Sequence, residues 1–269
     1  MDRRLESLGV GFARYADDTL IWSDSYSDIC RAVNTLEEVG SDMGVELNFV
    51  KSEGISILCP ENAPAEFRPK RSVGFLGYQI STETISIRDK NLDRIKRRLA
   101  YLIYSNLLQA LKKGHVVPTR VQGGIDLDYV VMLYQIRRYL YGELSESQLR
   151  KYLARQTPLI RYHGLMSFYP IVDDDLLLKA LDGWLINSVY RALKLRGRLF
   201  GDAGVISVPT PHGLSRAQIL QLRHKQSGGH LRDLRFPSFA RMARLIRRAA
   251  RTYGASAIAN PKSNKYHSS

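Results

Sequence analysis

The stretch FARYADDTLIW (residues 12–22) places apolar residues on both sides of a short polar turn. Apolar runs on either side of such a turn are typical of two strands joined in a hairpin. The tip of this hairpin carries two adjacent carboxylates, Asp17 and Asp18. The stretch therefore predicts a hairpin that presents a pair of acidic side chains.

Two interpretations of the acidic pair stay open from these residues alone. Aspartate is common in turns because its side chain bonds the nearby backbone and tolerates unusual dihedral angles. Alternatively, two carboxylates whose repulsion nothing in the turn relieves attract a cation, and hard oxygen ligands suit Mg²⁺. Magnesium held by carboxylates and substrate phosphates is the usual apparatus of nucleotidyl transfer.

Three blocks of the sequence resemble one family. RYADD (residues 14–18) resembles the catalytic signature of bacterial reverse transcriptases of the group II intron, retron and defence-associated kinds. GVELNFVKS (residues 44–52) resembles the palm block with an Asn-x-x-Lys core, and VGFLGYQI (residues 73–80) resembles the Phe-Leu-Gly hairpin called the primer grip. The blocks follow in the family's order, and the resemblance is strong over residues 1–90.

The resemblance implies a role for each matching residue. Asp17 is the first ligand of Mg²⁺, with Mn²⁺ as a possible substitute, and Asp18 is a weaker or outer ligand. Lys51 donates a proton to pyrophosphate or steadies its charge, although a surface lysine after a turn explains it equally well. Tyr15 either supports the nascent base pair or packs as a buried aromatic residue. Phe75, Leu76 and Gly77 either approach the primer strand or serve core packing.

The same comparison exposes a gap. In that family, the fingers and a palm strand with a further metal-binding Asp precede this block, whereas only sixteen residues precede Asp17 here. We therefore expect a protein partner, a second copy or a missing segment to supply the fingers and the remaining Asp.

The fold expected for residues 1–90 is the remnant of a polymerase-type palm. Helical spacing predicts a helix from Ser25 to Asp42 that packs on the back of the sheet. Short strands are expected at Val45–Asn48 and Ile55–Leu58, followed by a hairpin of Ser72–Ile80 and Thr84–Arg88 that turns at Thr82 and Glu83. This order predicts an α+β sheet with packed helices.

The charge of the chain is divided unevenly. The net charge is +14, but residues 1–90 hold 10 Lys or Arg against 15 Asp or Glu, while residues 91–269 hold 30 against 11. Such an asymmetry is the electrostatic signature of binding to a polyanion. No apolar run approaches the roughly 20 residues that cross a membrane, so a cytoplasmic protein with no membrane partner is expected. Cys30 and Cys59 are expected to be ordinary reduced cysteines.

Residues 91–190 are predicted to form a mostly α-helical, basic thumb. The first predicted helix runs from Asn91 to Lys113, and Arg94, Arg97 and Arg98 lie in its first turns. The acidic triplet at residues 173–175 precedes a helix from Leu176 to Leu195. The helix dipole favours carboxylates at this end, and we prefer this explanation of the triplet to a metal site. A basic helical bundle after the primer grip suits contacts to template and primer phosphates.

Residues 191–269 are predicted to form a basic nucleic-acid-binding extension, with 16 Lys or Arg against two acids. A helix from Ser238 to Tyr253 presents an arginine stripe that includes Arg241, Arg244 and Arg248. No acidic residue lies within that helix, whereas solvated faces usually mix signs. We expect this stripe to bind an RNA template or a dedicated noncoding RNA.

The sequence therefore predicts an RNA-directed DNA polymerase. It would add dNTPs to a primer on an RNA template and yield a DNA product, with bacterial antiviral defence as the expected setting. The alternative is a non-catalytic RNA-binding scaffold subunit of a reverse transcriptase ribonucleoprotein.

Overall fold

The computed structural model describes residues 1–45, 52–60, 68–121, 124–142, 144–156, 163–205 and 209–254. The chain divides into two compact units, Met1–Glu83 and Thr84–Ser269. Helices and small sheets occur together, which confirms the α+β class at that level. The predicted thumb and extension both fall within the second unit. None of the helices in the described ranges is long and apolar enough to cross a membrane.

The first unit is built around the predicted hairpin. Its elements are α1 (Asp2–Ser7), β1 (Gly11–Tyr15), β2 (Asp18–Trp22) and α2 (Tyr26–Asp42). The predicted start of α2 is confirmed, because Ser25 is its N-cap and accepts a hydrogen bond from the backbone N–H of Asp28. Leu5, Val10 and Ala32 form the buried centre, and apolar residues of both strands pack around it. The two helices therefore hold the hairpin by its apolar side chains.

The remaining strands of this unit are short. β3 (Ile57–Leu58) pairs in parallel with β4 (Pro69–Lys70), and β5 (Ser72–Phe75) pairs antiparallel with β6 (Tyr78–Ser81). Residues 72–80 do not form one continuous arm of the hairpin with Thr84–Arg88, because the chain reverses at Leu76 and Gly77, where the resemblance to the Phe-Leu-Gly block implies a hairpin. Both turn residues have positive φ, +47° and +89°. That pair of angles is required by the two-residue type I′ turn, which matches the twist of a hairpin. Residues 46–51, on which most of the predicted strand Val45–Asn48 falls, lie outside the described residues.

The second unit is mainly helical. It begins with β7 (Ile85–Ile87) and continues with α3 (Asp89–Leu107), α4 (Gln109–Lys112), α5 (Leu127–Tyr141) and α6 (Glu146–Leu153). The long α7 (Asp175–Asp202) is followed by α8 (Arg216–Gln221), the hairpin of β8 (His224–Ser227) and β9 (His230–Asp233), and α9 (Phe239–Tyr253). α3 packs on α5 and α7, and α9 packs on α6 and α7. Fully buried side chains such as Leu99, Met132, Leu185 and Ile246 form this core.

The predicted helices of this unit exist with changed bounds. The helix expected at Asn91–Lys113 is divided at Leu108. This residue has φ −121° and interrupts the helical conformation between α3 and α4. α7 extends seven residues beyond the predicted end at Leu195, to Asp202. Its longer course carries Arg196 into the interior, where the side chain is 3% exposed.

Two glycines fix the end of α5. Gly142 has φ +67° and ψ −130°, and a Cβ there would overlap the backbone carbonyl of His163. A Cβ on Gly164 would in turn overlap the backbone of Tyr141 and Gly142. The two segments approach so closely that only glycine fits at these positions.

We expect Gly142→Ala to lower the free energy of unfolding by about 2 to 3 kcal/mol. The strain of a side chain at positive φ and the overlap of its Cβ with the backbone of His163 both contribute to this cost. Gly114→Ala is the matched control. Gly114 also has a positive φ, +74°, but a Cβ there meets nothing within 4 Å. Its cost should be about 1 kcal/mol. Urea denaturation measures both, and equal losses would contradict the steric account.

Acid stability should depend on Asp233 at the end of β9. Its carboxylate lies 2.7 Å from Arg137 and 2.8 Å from Arg235, with His224 at 3.8 Å. Burial raises the pKa of this carboxyl, but the hydrogen bonds from Arg235 and the nearby charges outweigh it and lower the pKa from 3.8 to about 2. Because the folded form has the lower pKa, its stabilising contribution is present above about pH 4 and is lost as the pH falls towards about 2. Asp233→Asn should flatten the pH dependence of the unfolding free energy in this window, and an unchanged slope would refute the assignment.

Candidate functional site

The acidic pair lies at the tip of the first hairpin. Tyr15 of β1 pairs with Asp18 of β2, so Ala16 and Asp17 form a two-residue turn. Ala16 has φ +54°, a conformation that costs a residue with a Cβ about 1 kcal/mol or more. Asp17 and Asp18 are both exposed and adjacent. The hairpin thus presents two adjacent carboxylates at a tight turn, and its strands are paired up to that turn.

The hairpin is held on both of its sides. Phe12 and Ile21 pack against the buried cluster of Leu5, Val10 and Ala32. Arg14, one residue before Tyr15, donates to the Asp2 carboxylate at 2.8 Å. Within the described part of the chain, by contrast, neither Asp17 nor Asp18 takes part in an ion pair. Among the described residues, no ion-pair partner therefore competes with a bound cation for either carboxylate.

Tyr15 does not serve the core. Its side chain is 67% exposed, which excludes the buried-aromatic interpretation. The ring stands at the end of β1, one residue before the turn, and is available to a ligand. Trp22, at the other end of the hairpin, is 52% exposed and covers Gly11, its cross-strand partner.

The donor set fits a divalent cation only in part. Two exposed carboxylates are the hard oxygen ligands that Mg²⁺ prefers. However, no third acidic, His or Cys side chain joins them among the residues that the structure describes. Lys51, the other predicted catalytic residue, lies outside those residues.

The predicted primer-grip residues lie at a second hairpin tip. Phe75 is the last residue of β5 and is half-buried, while Leu76 and Gly77 form the turn itself. Leu76 is 46% exposed although it is apolar. The Leu76 side chain therefore lies largely outside the core.

A basic and aromatic face runs along α3. Arg94 and Arg97 are exposed, and Arg98 lies 5.5 Å from the ring centre of Tyr101. Lys112 of α4 lies 5.5 Å from the ring centre of Tyr104. The two rings are 56% and 41% exposed. We call Arg94, Arg97, Arg98, Tyr101, Tyr104 and Lys112 the α3 face.

Only half of the α3 face was predicted from the sequence, namely its three arginines. Tyr101, Tyr104 and Lys112 were not predicted. A signal was present, because tyrosines at positions 101 and 104 continue the three- and four-residue spacing of positions 94, 97 and 98. Exposed aromatic rings beside cations are the usual platform on which unpaired bases stack.

The arginine stripe of α9 is largely occupied by structural contacts. Arg241 donates to Glu146 of α6 at 3.0 Å, and Arg244 donates to Asp175 of α7 at 3.1 Å. Arg247 donates to the carbonyl oxygen of Val172 at 2.9 Å. Acids from other elements therefore compensate this helix, which the absence of acids within the helix did not reveal. Arg248 is exposed and has no ion-pair partner in the described ranges.

The acidic triplet is structural, as predicted. Asp174 is the N-cap of α7 and accepts from the backbone N–H of Leu177. Asp173 accepts from the backbone N–H of Ile85 at 2.7 Å, and Asp174 also accepts from the Ser86 hydroxyl. The triplet thus fastens β7 to the start of α7.

Comparison with known proteins gives no match: the sequence fits no protein-family model, and no curated protein is significantly similar to it.

Proposed function

We propose that this chain is the palm-and-thumb portion of a bacterial RNA-directed DNA polymerase. The observation that carries the proposal is the exposed, unpaired carboxylate pair at the tip of a tight hairpin, with Tyr15 beside it. Two adjacent, exposed carboxylates with no cation partner among the described residues offer hard oxygen ligands to Mg²⁺.

Asp17 and Asp18 would hold Mg²⁺ at this tip. When bound, Mg²⁺ activates the 3′-hydroxyl of a primer and steadies the charge of the leaving pyrophosphate. Tyr15 would offer its exposed ring to the nascent base pair, and the turn of Leu76 and Gly77 would approach the primer backbone. Lys51 stays a proposed proton donor.

The proposal requires a further carboxylate, because Asp17 and Asp18 are joined by no third ligand among the described residues. We propose that another chain or a further segment supplies it together with the fingers. Co-expression with the product of the neighbouring reading frame should yield a stable complex. A clean monomer with no associated protein would contradict the split-enzyme form of the proposal.

Nucleic acid would be held by the second unit. Of the chain's 40 basic residues, 32 lie from residue 84 onward, against 12 acids. The α3 face combines cations for phosphates with rings for bases, the pattern of sequence-independent single-strand binding. This face also supports the second candidate function, a non-catalytic RNA-binding scaffold, because it binds RNA whether or not the carboxylate pair is active.

We expect Tyr101→Ala to weaken RNA binding by roughly 5-fold to 100-fold, the effect of one lost base stack. Tyr101→Phe should retain most of the affinity, since stacking needs the ring and not the hydroxyl. Tyr134→Ala is the control, because Tyr134 is equally exposed, at 57%, but lies on α5. Fluorescence anisotropy with a labelled single-stranded RNA measures all three. Equal affinity of the Tyr101→Ala and Tyr134→Ala proteins would remove the α3 face from the interface.

A further inference from the structure

A half-open cleft lies in the second unit between α7 and residues 211–219. Its volume is about 680 Å³, within the range of cavities that bind small molecules. The lining includes Lys194 and Arg198 of α7 together with His212, and no acidic residue is among the described residues that line it. The cleft is therefore of ligand size and has a positive wall.

The cations of the cleft remain available to a ligand. Arg198 is exposed and has no ion-pair partner within the described part of the chain. Lys194 lies 5.1 Å from the ring centre of Tyr190, which also lines the cleft. Arg196, two residues before Arg198, is instead buried and paired with the carboxylates of Asp126 and Asp128. α7 thus directs one arginine inward and leaves the cations of the cleft uncompensated.

A fixed imidazole forms part of the wall. The His212 side chain is 2% exposed, and its Nε2 lies 2.9 Å from the carboxylate of buried Asp126. Its Nδ1 is buried and has no hydrogen-bond partner among the described residues. Gly197 lies beside it, since a Cβ there would be 3.7 Å from Nδ1. The hydrogen bond to Asp126 therefore holds the imidazole in place as part of the wall.

We propose that this cleft binds the phosphate group of a nucleotide. Lys194 and Arg198 contact the phosphate oxygens, and Leu193, Pro211 and Leu214 provide apolar surface for the sugar and base. The ligand is either a free nucleotide or the 5′-phosphorylated end of a nucleic acid strand, because both present the same group. The site lies wholly within the second unit and does not depend on the carboxylate pair or on polymerase activity.

The test is the binding of a fluorescent ATP analogue to the full-length chain, followed by anisotropy. We expect saturable binding that Arg198→Gln and Lys194→Gln each weaken by roughly tenfold, the effect of losing one charge-assisted hydrogen bond. Arg191→Gln is the matched control, because Arg191 is exposed on the same helix but does not line the cleft. It should change the affinity by less than about twofold. Unchanged thermal unfolding by circular dichroism verifies that each variant is folded.

Competition experiments define the ligand. Unlabelled ATP should displace the analogue, and adenosine should not. A 5′-phosphorylated trinucleotide that competes better than its 5′-hydroxyl counterpart assigns the cleft to strand ends, whereas competition by ATP alone assigns it to free nucleotides. Absence of saturable binding, equal competition by adenosine and ATP, or equal weakening by Arg191→Gln and Arg198→Gln would overturn the proposal.

Discussion

Asp17→Asn should reduce Mg²⁺-dependent dNTP incorporation by at least about 100-fold, because loss of one metal ligand removes several kcal/mol of transition-state stabilisation. The substitution keeps the size of the side chain and removes its charge. Asp17 is exposed at the turn and makes no ion pair among the described residues, so the fold should be retained. Asp18→Asn should have a smaller effect if Asp18 is an outer ligand. Primer-extension rates with the chain in its native complex measure both variants.

Asp24→Asn is the control for this experiment. Asp24 is exposed in the same unit and carries the same charge, but it follows β2 at the opposite end of the hairpin. Its incorporation rate should stay within about twofold of the unchanged protein. If Asp17→Asn and Asp24→Asn behave alike, the hairpin tip is not a metal site.

Arg196→Met should lower the free energy of unfolding of the second unit by about 3 to 5 kcal/mol, because it leaves the buried Asp126 carboxylate without its main partner. Arg196 donates to Asp126 at 2.6 Å, to Asp128 at 2.6 Å and to the carbonyl oxygen of Leu107 at 2.6 Å. Asp126 is completely buried and also caps the start of α5. This one side chain therefore joins α7 to the end of α3 and the beginning of α5.

The pKa of Asp126 reflects the same balance. Burial raises it, but the hydrogen bonds from His212 and Arg196 outweigh burial and lower it below 3.8. The carboxylate is thus charged in the folded protein and relies on its partners. Removal of Arg196 exposes the cost of burying that charge.

Arg191→Met is the control for Arg196→Met. Arg191 lies on α7 but is exposed, so its replacement should change the unfolding free energy by less than about 0.5 kcal/mol. Urea denaturation followed by circular dichroism compares the two. A loss below about 1 kcal/mol for Arg196→Met would show that the buried network contributes little.

Local patterns predicted much of the fold. The hairpin around Asp17 and the N-cap at Ser25 follow from apolar alternation and capping, which are encoded within a few residues. The turn at Leu76 is implied by the resemblance to the Phe-Leu-Gly hairpin but not by the hydrophobic pattern, because positive φ at a leucine has no local sequence signal, in contrast to the glycine that follows it. The division of α3 and α4 at Leu108 was missed because both sides keep the same apolar spacing.

Contacts distant in sequence could not be predicted. Arg241 and Arg196 look alike in the sequence, yet one pairs at the surface with Glu146 and the other is enclosed with Asp126. The partners lie 95 and 70 residues away along the chain. Only tertiary packing decides which arginines remain free, so the predicted stripe of α9 mixed structural residues with exposed Arg248.

The most direct test of the proposed function is RNA-templated dNTP incorporation by the chain purified with the proteins and RNA that accompany it from its native operon. The account predicts incorporation that requires Mg²⁺ and that Asp17→Asn abolishes, together with a bound protein that supplies the further carboxylate. Bound RNA without incorporation, or incorporation that Asp17→Asn leaves unchanged, would contradict the account and favour the scaffold.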